Sequence, residues 1–397
     1  MKVSAILNDL LIDITPNMHK VRRKSLEASI TSLISGADLS VTSLGRNIDS
    51  QTTEKHQIKR SDRLCKNIHL HQELSGVYSE LCCQLIGNQK QPIILVDWSD
   101  LDTRKDFFLI RASVAIEGRS LTLLDEVQPL SLKEKPAIHR KFMERLKSIL
   151  PTNCKPIIVT DAGFRVPWFK LIESLGWDYV GRVRNSTFCL HTTEEDWHAV
   201  KDLYQQASST EKQLGFYQLA KANPIKCEMV IFKNKNKGRK DLVAVGDRSR
   251  KSKRSLSNAA REREPWLLAT SLASRKSNFA KRVVKIYRSR MQIEESFRDL
   301  KTGLNFNESN TRKKSRIEVL LLISIIAQYV LFLLGMTVKL LDKHRRYQAN
   351  SIRDRNVLSY QFIGLRAFKD KNLKLNEDDF IAGFDRIQIL ITDISVV

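Results

Sequence analysis

Six cysteines are all this 397-residue chain has, and they are scattered: Cys65, Cys82, Cys83, Cys154, Cys189 and Cys227. No Cys-x-x-Cys pair occurs, and no Cys/His cluster has zinc spacing, which excludes the small zinc folds. Most of the thiols sit among apolar neighbours, as buried thiols of a reducing compartment do. The N-terminal stretch MKVSAILNDLLIDITP is broken by Asp9 and Asp13, and no Ala-x-Ala site follows, so no secretory signal is expected. Internal repeats and long low-complexity linkers are missing too. Acids are in deficit: 44 Asp and Glu against 67 Lys and Arg leave a formal net charge of +23. Such a surplus repels itself unless it meets a polyanion. Nucleic acid is the first candidate and an anionic membrane surface the second, and RNA binding is compatible with the charge alone.

One apolar run, Val319–Val338, is long enough to span a bilayer, with Ser324, Gln328 and Thr337 as its polar breaks. A lone span near the end of a basic chain makes an awkward membrane protein. A helix buried on most sides of a large α/β core fits better, and no membrane partner is expected.

Residues 1–90 read as mostly helical, with helix patterns over Arg22–Ile34, Ser40–Ile48, Gln51–Cys65 and 68–87. The second and third suggest a short helix, a turn and a basic helix, which would let Lys55, Lys59, Arg60 and Arg63 meet DNA. At Pro92 the pattern changes. Short apolar runs predict strands over Pro92–Val96, Phe107–Ile116 and Ser120–Val127, the last two joined by a hairpin-like Glu117-Gly118-Arg119. A helix over Ile138–Leu150, a strand Pro156–Thr160, a helix Pro167–Leu175 and a strand Trp177–Val183 follow. That order is mixed α/β, and by analogy the order of ribonuclease-H-like domains.

Residues 190–265 break the pattern and read as a β-rich basic insertion. Polar helix or loop (Glu194–Glu211) is followed by strands Gly215–Ala220, Cys227–Phe232 and Leu242–Val245. A tract from Lys233 to Arg254 holds ten Lys and Arg against Asp241 and Asp247. It is a solvated loop or a grip on phosphate backbone, with Lys251, Lys253 and Arg254 among the candidate DNA contacts. Strand Pro265–Leu272 returns to the core pattern. The predicted division is a helical DNA-binding domain over 1–90, a ribonuclease-H-like core over 91–190 and 265–341, the insertion over 190–265, and a C-terminal segment over 342–397 for packing, DNA or subunit contacts.

Between the last core strand and the apolar run lies Lys281–Gly303, KRVVKIYRSRMQIEESFRDLKTG, which reads as one long helix ending at Gly303. On an unbroken helix Tyr287, Arg290, Glu294 and Lys301 fall on one narrow stripe. A hydroxyl, a guanidinium, a carboxylate and an ammonium pack poorly but suit a phosphodiester held beside a metal ion. An ordinary charged, solvated helix explains the spacing as well. Two further acids, Asp97 and Asp161, sit just past short buried strands. In parallel neighbouring strands they would converge at one sheet edge. Three carboxylates brought close need cations, for which Mg²⁺ is the natural choice. Strand-end Asp residues also commonly cap a helix or close a turn.

The set of Asp97, Asp161-Ala162-Gly163-Phe164 and a Tyr-x2-Arg-x3-Glu-x6-Lys signature resembles the DDE transposases of bacterial insertion sequences, in the subgroup carrying that signature. The resemblance runs over about residues 1–370. It implies an α/β, ribonuclease-H-like catalytic core with a mixed sheet, interrupted by a β-rich insertion, behind a helical N-terminal DNA-binding domain. Asp97, Asp161 and Glu294 would be catalytic and hold two Mg²⁺ ions, with Mn²⁺ able to substitute. Tyr287, Arg290 and Lys301 would hold phosphates near the cleaved end. Trp266 would receive a flipped base during hairpin formation, although a core aromatic on a strand has an ordinary explanation too. Trp98 reads as packing. The implied partners are double-stranded DNA, as terminal inverted repeats and as target, and a second copy of the chain in the DNA complex, in the bacterial cytoplasm on nucleoid or plasmid DNA. Two competitors remain: a ribonuclease-H-like nuclease or resolvase without strand transfer, and a catalytically silent DNA-binding regulator.

Overall fold

The computed structural model describes residues 3–102, 104–184, 187–234, 251–273, 278–349, 352 and 357–395. The chain clusters into two compact units, one built from residues 1–154 and 291–396 and the other from 155–290.

The first unit opens with helices α1 (Val3–Ile14), α2 (Lys20–Ser35), α3 (Val41–Arg46), α4 (Glu54–Cys65) and α5 (Ile68–Ile86). Short polar side chains start two of them, α3 and α5: Ser40 accepts from the Ser43 N–H at 3.2 Å and Asn67 from the Leu70 N–H at 3.0 Å, each satisfying an orphan amide. A Cβ on Gly45 would lie 2.5 Å from the Ile58 Cα, so α3 and α4 meet almost backbone to backbone. On α4, Gln57, Ser61, Leu64 and Cys65 face inward, while Lys55, Lys59 and Arg63 are exposed at i, i+4 and i+8.

Next come strands β1 (Ile93–Asp100), β2 (Phe107–Ala115) and β3 (Ser120–Pro129), an antiparallel meander, then helix α6 (Pro136–Ile149). The first strand runs four residues past the expected end at Val96. Antiparallel pairing persists to Asp100 opposite Phe108, so Asp97 lies within the strand rather than beyond it, opposite Arg111. The apolar run alone could not show this, because hydrogen bonds to β2 sustain the polar half.

In the second unit β4 (Ile157–Thr160) and β5 (Asp178–Val183) are parallel and joined by crossover helix α7 (Val166–Ser174). Then come β6 (Phe188–His191), β7 (His198–Ala199), β8 (Lys212–Leu219), β9 (Ile225–Phe232), helix α8 (Lys253–Arg263), β10 (Trp266–Thr270) and helix α9 (Phe279–Arg288). Antiparallel pairing orders them β5-β10-β9-β8-β6-β7. Where polar helix or loop was expected over Glu194–Glu211, the chain forms β7 and a 3₁₀ turn at Val200–Gln206. The expected strand Leu242–Val245 and most of the tract from Lys233 to Arg254 lie outside the described residues. Helix α8, KRSLSNAARER, gave no periodic apolar signal: its Leu256 is exposed, and its helicity comes from Ala, Arg and Glu.

The chain then returns to the first unit through α10 (Met291–Arg298), a π-helical turn at Asp299–Gly303, and α11 (Lys314–Leu340), α12 (Tyr360–Lys369) and α13 (Glu377–Ser395). The long apolar run is α11, whose most hydrophobic window is wholly buried. It packs against α2, α4, α5, α12, α13 and β3. Two of its polar breaks are satisfied within the helix: Ser324 Oγ donates to Leu321 O at 2.7 Å and Thr337 Oγ1 to Leu333 O at 2.9 Å. A Cβ on Gly335 would lie 1.8 Å from Tyr360 O, and one on Gly364 would lie 1.9 Å from Leu331 O. Helices α11 and α12 therefore cross in mutual backbone contact at two glycines. Gly335→Ala should cost about 1–3 kcal/mol or more, because a carbonyl cannot give way as a flexible side chain can. An unchanged denaturant midpoint would contradict that crossing.

Candidate active site

The first unit carries Asp97, Glu294 and Lys301. Asp97 is half-buried in the middle of β1, and its Oδ1 accepts the Trp98 N–H at 2.8 Å. Trp98 donates its indole N–H to His139 Nε2 on α6 at 3.0 Å. Burial pushes the His139 imidazole down to about 4, so near neutrality it is uncharged and free to accept that bond. The Trp98 side chain is thus tied into the packing, as its sequence position suggested.

Glu294 is exposed in the first turn of α10, where the helix dipole favours a carboxylate. The helix packs on β1, β2 and β3. Lys301, in the π-helical turn, hydrogen-bonds the Asp100 carboxylate on β1, and that contact holds the Asp100 carboxyl below its ordinary range.

Polar contacts fasten α10 along its length. Arg111 on β2 is fully buried, and its guanidinium donates twice to Asp125 on β3, at 2.8 and 2.7 Å. Its remaining edge donates to Ser296 Oγ at 3.0 Å, and the Phe297 ring lies 5.1 Å away. Gln292 Oε1 accepts the Ile116 N–H at 3.0 Å, and Ser120 Oγ donates to Gln292 O at 3.3 Å. Arg119 pairs with Asp299 at 3.1 Å, although burial still leaves the Asp299 carboxyl above its usual range.

The second unit carries Asp161, Trp266, Tyr287 and Arg290. Asp161 follows β4 directly, is half-buried, and accepts the Gly163 N–H at 2.8 Å, closing a tight turn. Tyr287, in the last turn of α9, is only 4 % exposed. Its ring stands edge-on to Trp266, centroids 5.0 Å apart, and Trp266 in turn lies 5.8 Å from Phe232. Burial raises the Tyr287 phenol, against the pull of Arg290, which hydrogen-bonds it, and of Arg182. Arg182 is half-buried and donates to Glu264 O and Pro265 O at 3.3 and 3.2 Å, while Arg184 pairs with the Glu264 carboxylate. Trp266 therefore has the packing role open to any strand aromatic, within a cluster crowded with guanidinium groups.

The signature segment is not one helix. Helix α9 ends at Arg288, where the Ser289 and Arg290 amides bond Ile286 O and Tyr287 O at 3.2 and 3.1 Å, three residues back. Ser289 Oγ also donates to Ile286 O at 2.6 Å, competing for the carbonyl that an α-helix would bond to Arg290. A new helix starts at Met291, and after Arg298 the winding becomes π-helical. A count of 100° per residue does not run through either break, so in place of a single stripe Tyr287 lies in α9, Arg290 in the break, Glu294 in α10 and Lys301 in the π-helical turn.

Of the candidate DNA contacts, Lys55, Lys59, Arg63, Lys251, Lys253 and Arg254 are exposed. Arg60 is turned inward: it donates to Ser25 Oγ at 3.2 Å and Lys24 O at 2.9 Å, anchoring α4 on α2.

Among the described residues no group of three His, Cys, Asp or Glu side chains gathers as a metal cluster. The donor chemistry of Asp97, Asp161 and Glu294 is nonetheless all carboxylate oxygen, without thiol or imidazole, and that set fits a hard divalent cation.

Sequence reasoning missed Arg111 and Asp125. Their signal was available: a lone Arg in one apolar run and an Asp-Glu pair in the next, with Arg111 and Asp125 placed symmetrically about the turn at Gly118, so that hairpin pairing sets them opposite one another.

An antiparallel meander with an acid on its first strand, a parallel crossover with an acid at the strand end, and a third acid on a later helix belong to a mixed α/β fold. The family model described as Transposase DDE domain matches residues 88–330, more than half of the chain, and the protein belongs to that family. It is therefore a transposase, an enzyme of DNA recombination whose partner is DNA, in a family that generally uses divalent metal ions. No curated protein matches the chain.

Proposed function

We propose that this transposase binds the terminal inverted repeats of an insertion sequence, excises the element through a hairpin, and joins its 3′ ends to target DNA. The observation that carries the reading is that the matched stretch, residues 88–330, contains Asp97, Asp161, Trp266, Tyr287, Arg290, Glu294 and Lys301 together. The Tyr-x2-Arg-x3-Glu-x6-Lys spacing supports membership of the signature subgroup, and with it a relation to the transposase of the composite transposon that carries tetracycline resistance.

In this reading Asp97, Asp161 and Glu294 hold two Mg²⁺ ions, with Mn²⁺ as a substitute. When bound, the ions lower the barrier to in-line displacement at phosphorus by stabilising the attacking and leaving oxygens. Arg290 and Lys301 offer charge-assisted bonds to phosphate oxygens, and Tyr287 adds a hydroxyl. Lys301 reaches phosphate by exchanging the Asp100 carboxylate for it. The indole of Trp266 offers a stacking face for a base turned out of the helix, which offsets the few kcal/mol that flipping costs. Water cuts one strand, the freed 3′-hydroxyl attacks the opposite strand, a second hydrolysis opens the hairpin, and the same hydroxyl attacks the target.

Exposed Lys55, Lys59 and Arg63 on one face of α4 are placed to follow a phosphate backbone. Lys253 and Arg254 occupy the first turn of α8, where the helix dipole disfavours cations, so a polyanion accounts for them better than helix stability does. One subunit binds each end, and two pair the ends. The helical segment over 1–90 serves recognition, the segment over 342–397 packing or further contacts, and the site of action is the bacterial cytoplasm.

The test uses purified protein, Mg²⁺ and a labelled duplex carrying the inverted repeat that flanks the gene, with donor DNA outside it, read on a denaturing gel. A nick followed by a hairpin band is expected. Nicking with neither hairpin nor joined product would replace this reading with a hydrolytic nuclease or resolvase, and binding without any break would replace it with a silent regulator.

A further inference from the structure

We propose that Arg111, clasped by Asp125, is a positioning residue for Glu294: a buried strut that sets α10 on the meander whose first strand carries Asp97. The inference rests on the reading of Glu294 as a metal ligand.

Helix α10 cannot place itself. It spans eight residues, starts after a break and runs into a π-helical turn. So short a helix has little stability of its own, and its position must come from what it touches. Other anchors hold its ends: Gln292 at the start and Asp299 just beyond the finish. The strut holds its middle.

Arg111 is suited to that task by its register. It lies directly opposite Asp97 in the β1–β2 pairing, so the two side chains share one face of the sheet. From that face it reaches Ser296, two residues beyond Glu294, with its hydroxyl bond at 3.0 Å. A single planar guanidinium on β2, the strand paired with the one that bears Asp97, therefore ties β3 to the helix that bears Glu294. Asp125 accepts from Nε and Nη2 and fixes the plane of the fork.

The cost of the arrangement points the same way. Both side chains are completely buried. A charged pair in such a place contributes little net stability over apolar residues of the same volume, which pack without loss of hydration. What apolar residues cannot supply is direction: a hydrogen bond fixes the rotation and the axial position of α10, whereas hydrophobic contact lets the helix slide.

The test compares three variants with the wild type. R111M with D125L replaces the pair by apolar side chains and removes the bond to α10. S296A keeps the pair and removes only its hydroxyl acceptor. Glu294→Gln is the control on the underlying reading. Each is measured for thermal midpoint, for binding of the repeat duplex in EDTA, for Mn²⁺ binding without DNA by electron paramagnetic resonance, and for the rate of the first nick across a Mg²⁺ titration. The double variant should keep its fold and its DNA binding. Its nicking rate should fall, and its half-saturating metal concentration rise, by about ten- to a hundredfold, the range found when groups that orient metal ligands are lost. S296A should show the same changes at roughly fivefold. A folded double variant with wild-type rate, Mn²⁺ affinity and Mg²⁺ dependence overturns the inference; S296A alone does not, since Arg111 also donates to Ser296 O at 3.4 Å. Should the double variant fail to fold, Arg111→Lys, which keeps the buried charge beside Asp125 but loses the fork that reaches α10, is measured in its place and judged by the same readouts. If Glu294→Gln still nicks normally, the ligand reading itself fails; if Glu294→Gln is dead while both other variants match the wild type, only the strut fails.

Discussion

Glu294→Gln leaves a folded protein that binds its terminal repeat and does not cut it. The substitution is nearly isosteric and falls on an exposed side chain in the first turn of α10, so it opens no cavity and strands no buried charge. It exchanges one anionic oxygen for an amide, which a hard cation holds poorly. Because all the strand-breaking and joining steps share one centre in the proposed mechanism, every step should fall together, by on the order of a thousandfold or more. The measurement is single-turnover cleavage of the repeat duplex, paired with a gel-shift titration in EDTA and repeated on a duplex already nicked at the end. Loss of hairpin formation on the nicked duplex locates the defect in chemistry rather than in first-strand recognition. Cutting at the wild-type rate with Mg²⁺ would remove Glu294 from the ligand set.

Asp125→Ala is expected to be among the most destabilising single changes in the first unit. The carboxylate is inaccessible to solvent and receives two hydrogen bonds from an equally inaccessible Arg111. Removing one partner leaves a guanidinium buried without its counter-charge, which costs about 3–5 kcal/mol. Urea unfolding followed by circular dichroism should show that loss as a lower midpoint. Introducing Arg111→Met beside Asp125→Leu should restore most of it, since no charge then remains to be compensated. A single variant within experimental error of the wild type would mean that water reaches Arg111 and that the pair is not sealed from solvent.

Much of the architecture follows from local signals. Short apolar runs bounded by turn residues marked β1–β5, because strands buried on both faces need no alternation to be visible. The apolar helix α11 was legible as a core element, and its burial confirms that reading. Other features depended on partners distant in sequence. The outer half of β1 is polar and becomes strand only through β2, which moved Asp97 from a strand end to a strand interior. The break after Arg288 is set by a serine hydroxyl taking a backbone carbonyl, a choice that helix propensity does not reveal. Charge was legible as a surplus, but its allotment was not: Arg60 and Arg111 read alike as basic residues, yet one braces a helix pair and the other is sealed inside the sheet.

The burial of α11 also sets the order in which the protein can be made. Its cover comes from α2, near the start of the chain, and from α12 and α13, which leave the ribosome after it. The contact with α2, from the far end of the unit's sequence, forms late and slowly, since the intervening chain must be closed into a loop first. Until α12 and α13 have been synthesised, a 27-residue greasy segment has no complete cover, and the nascent chain is open to aggregation. Docking of α12 and α13 thus completes the cover of α11.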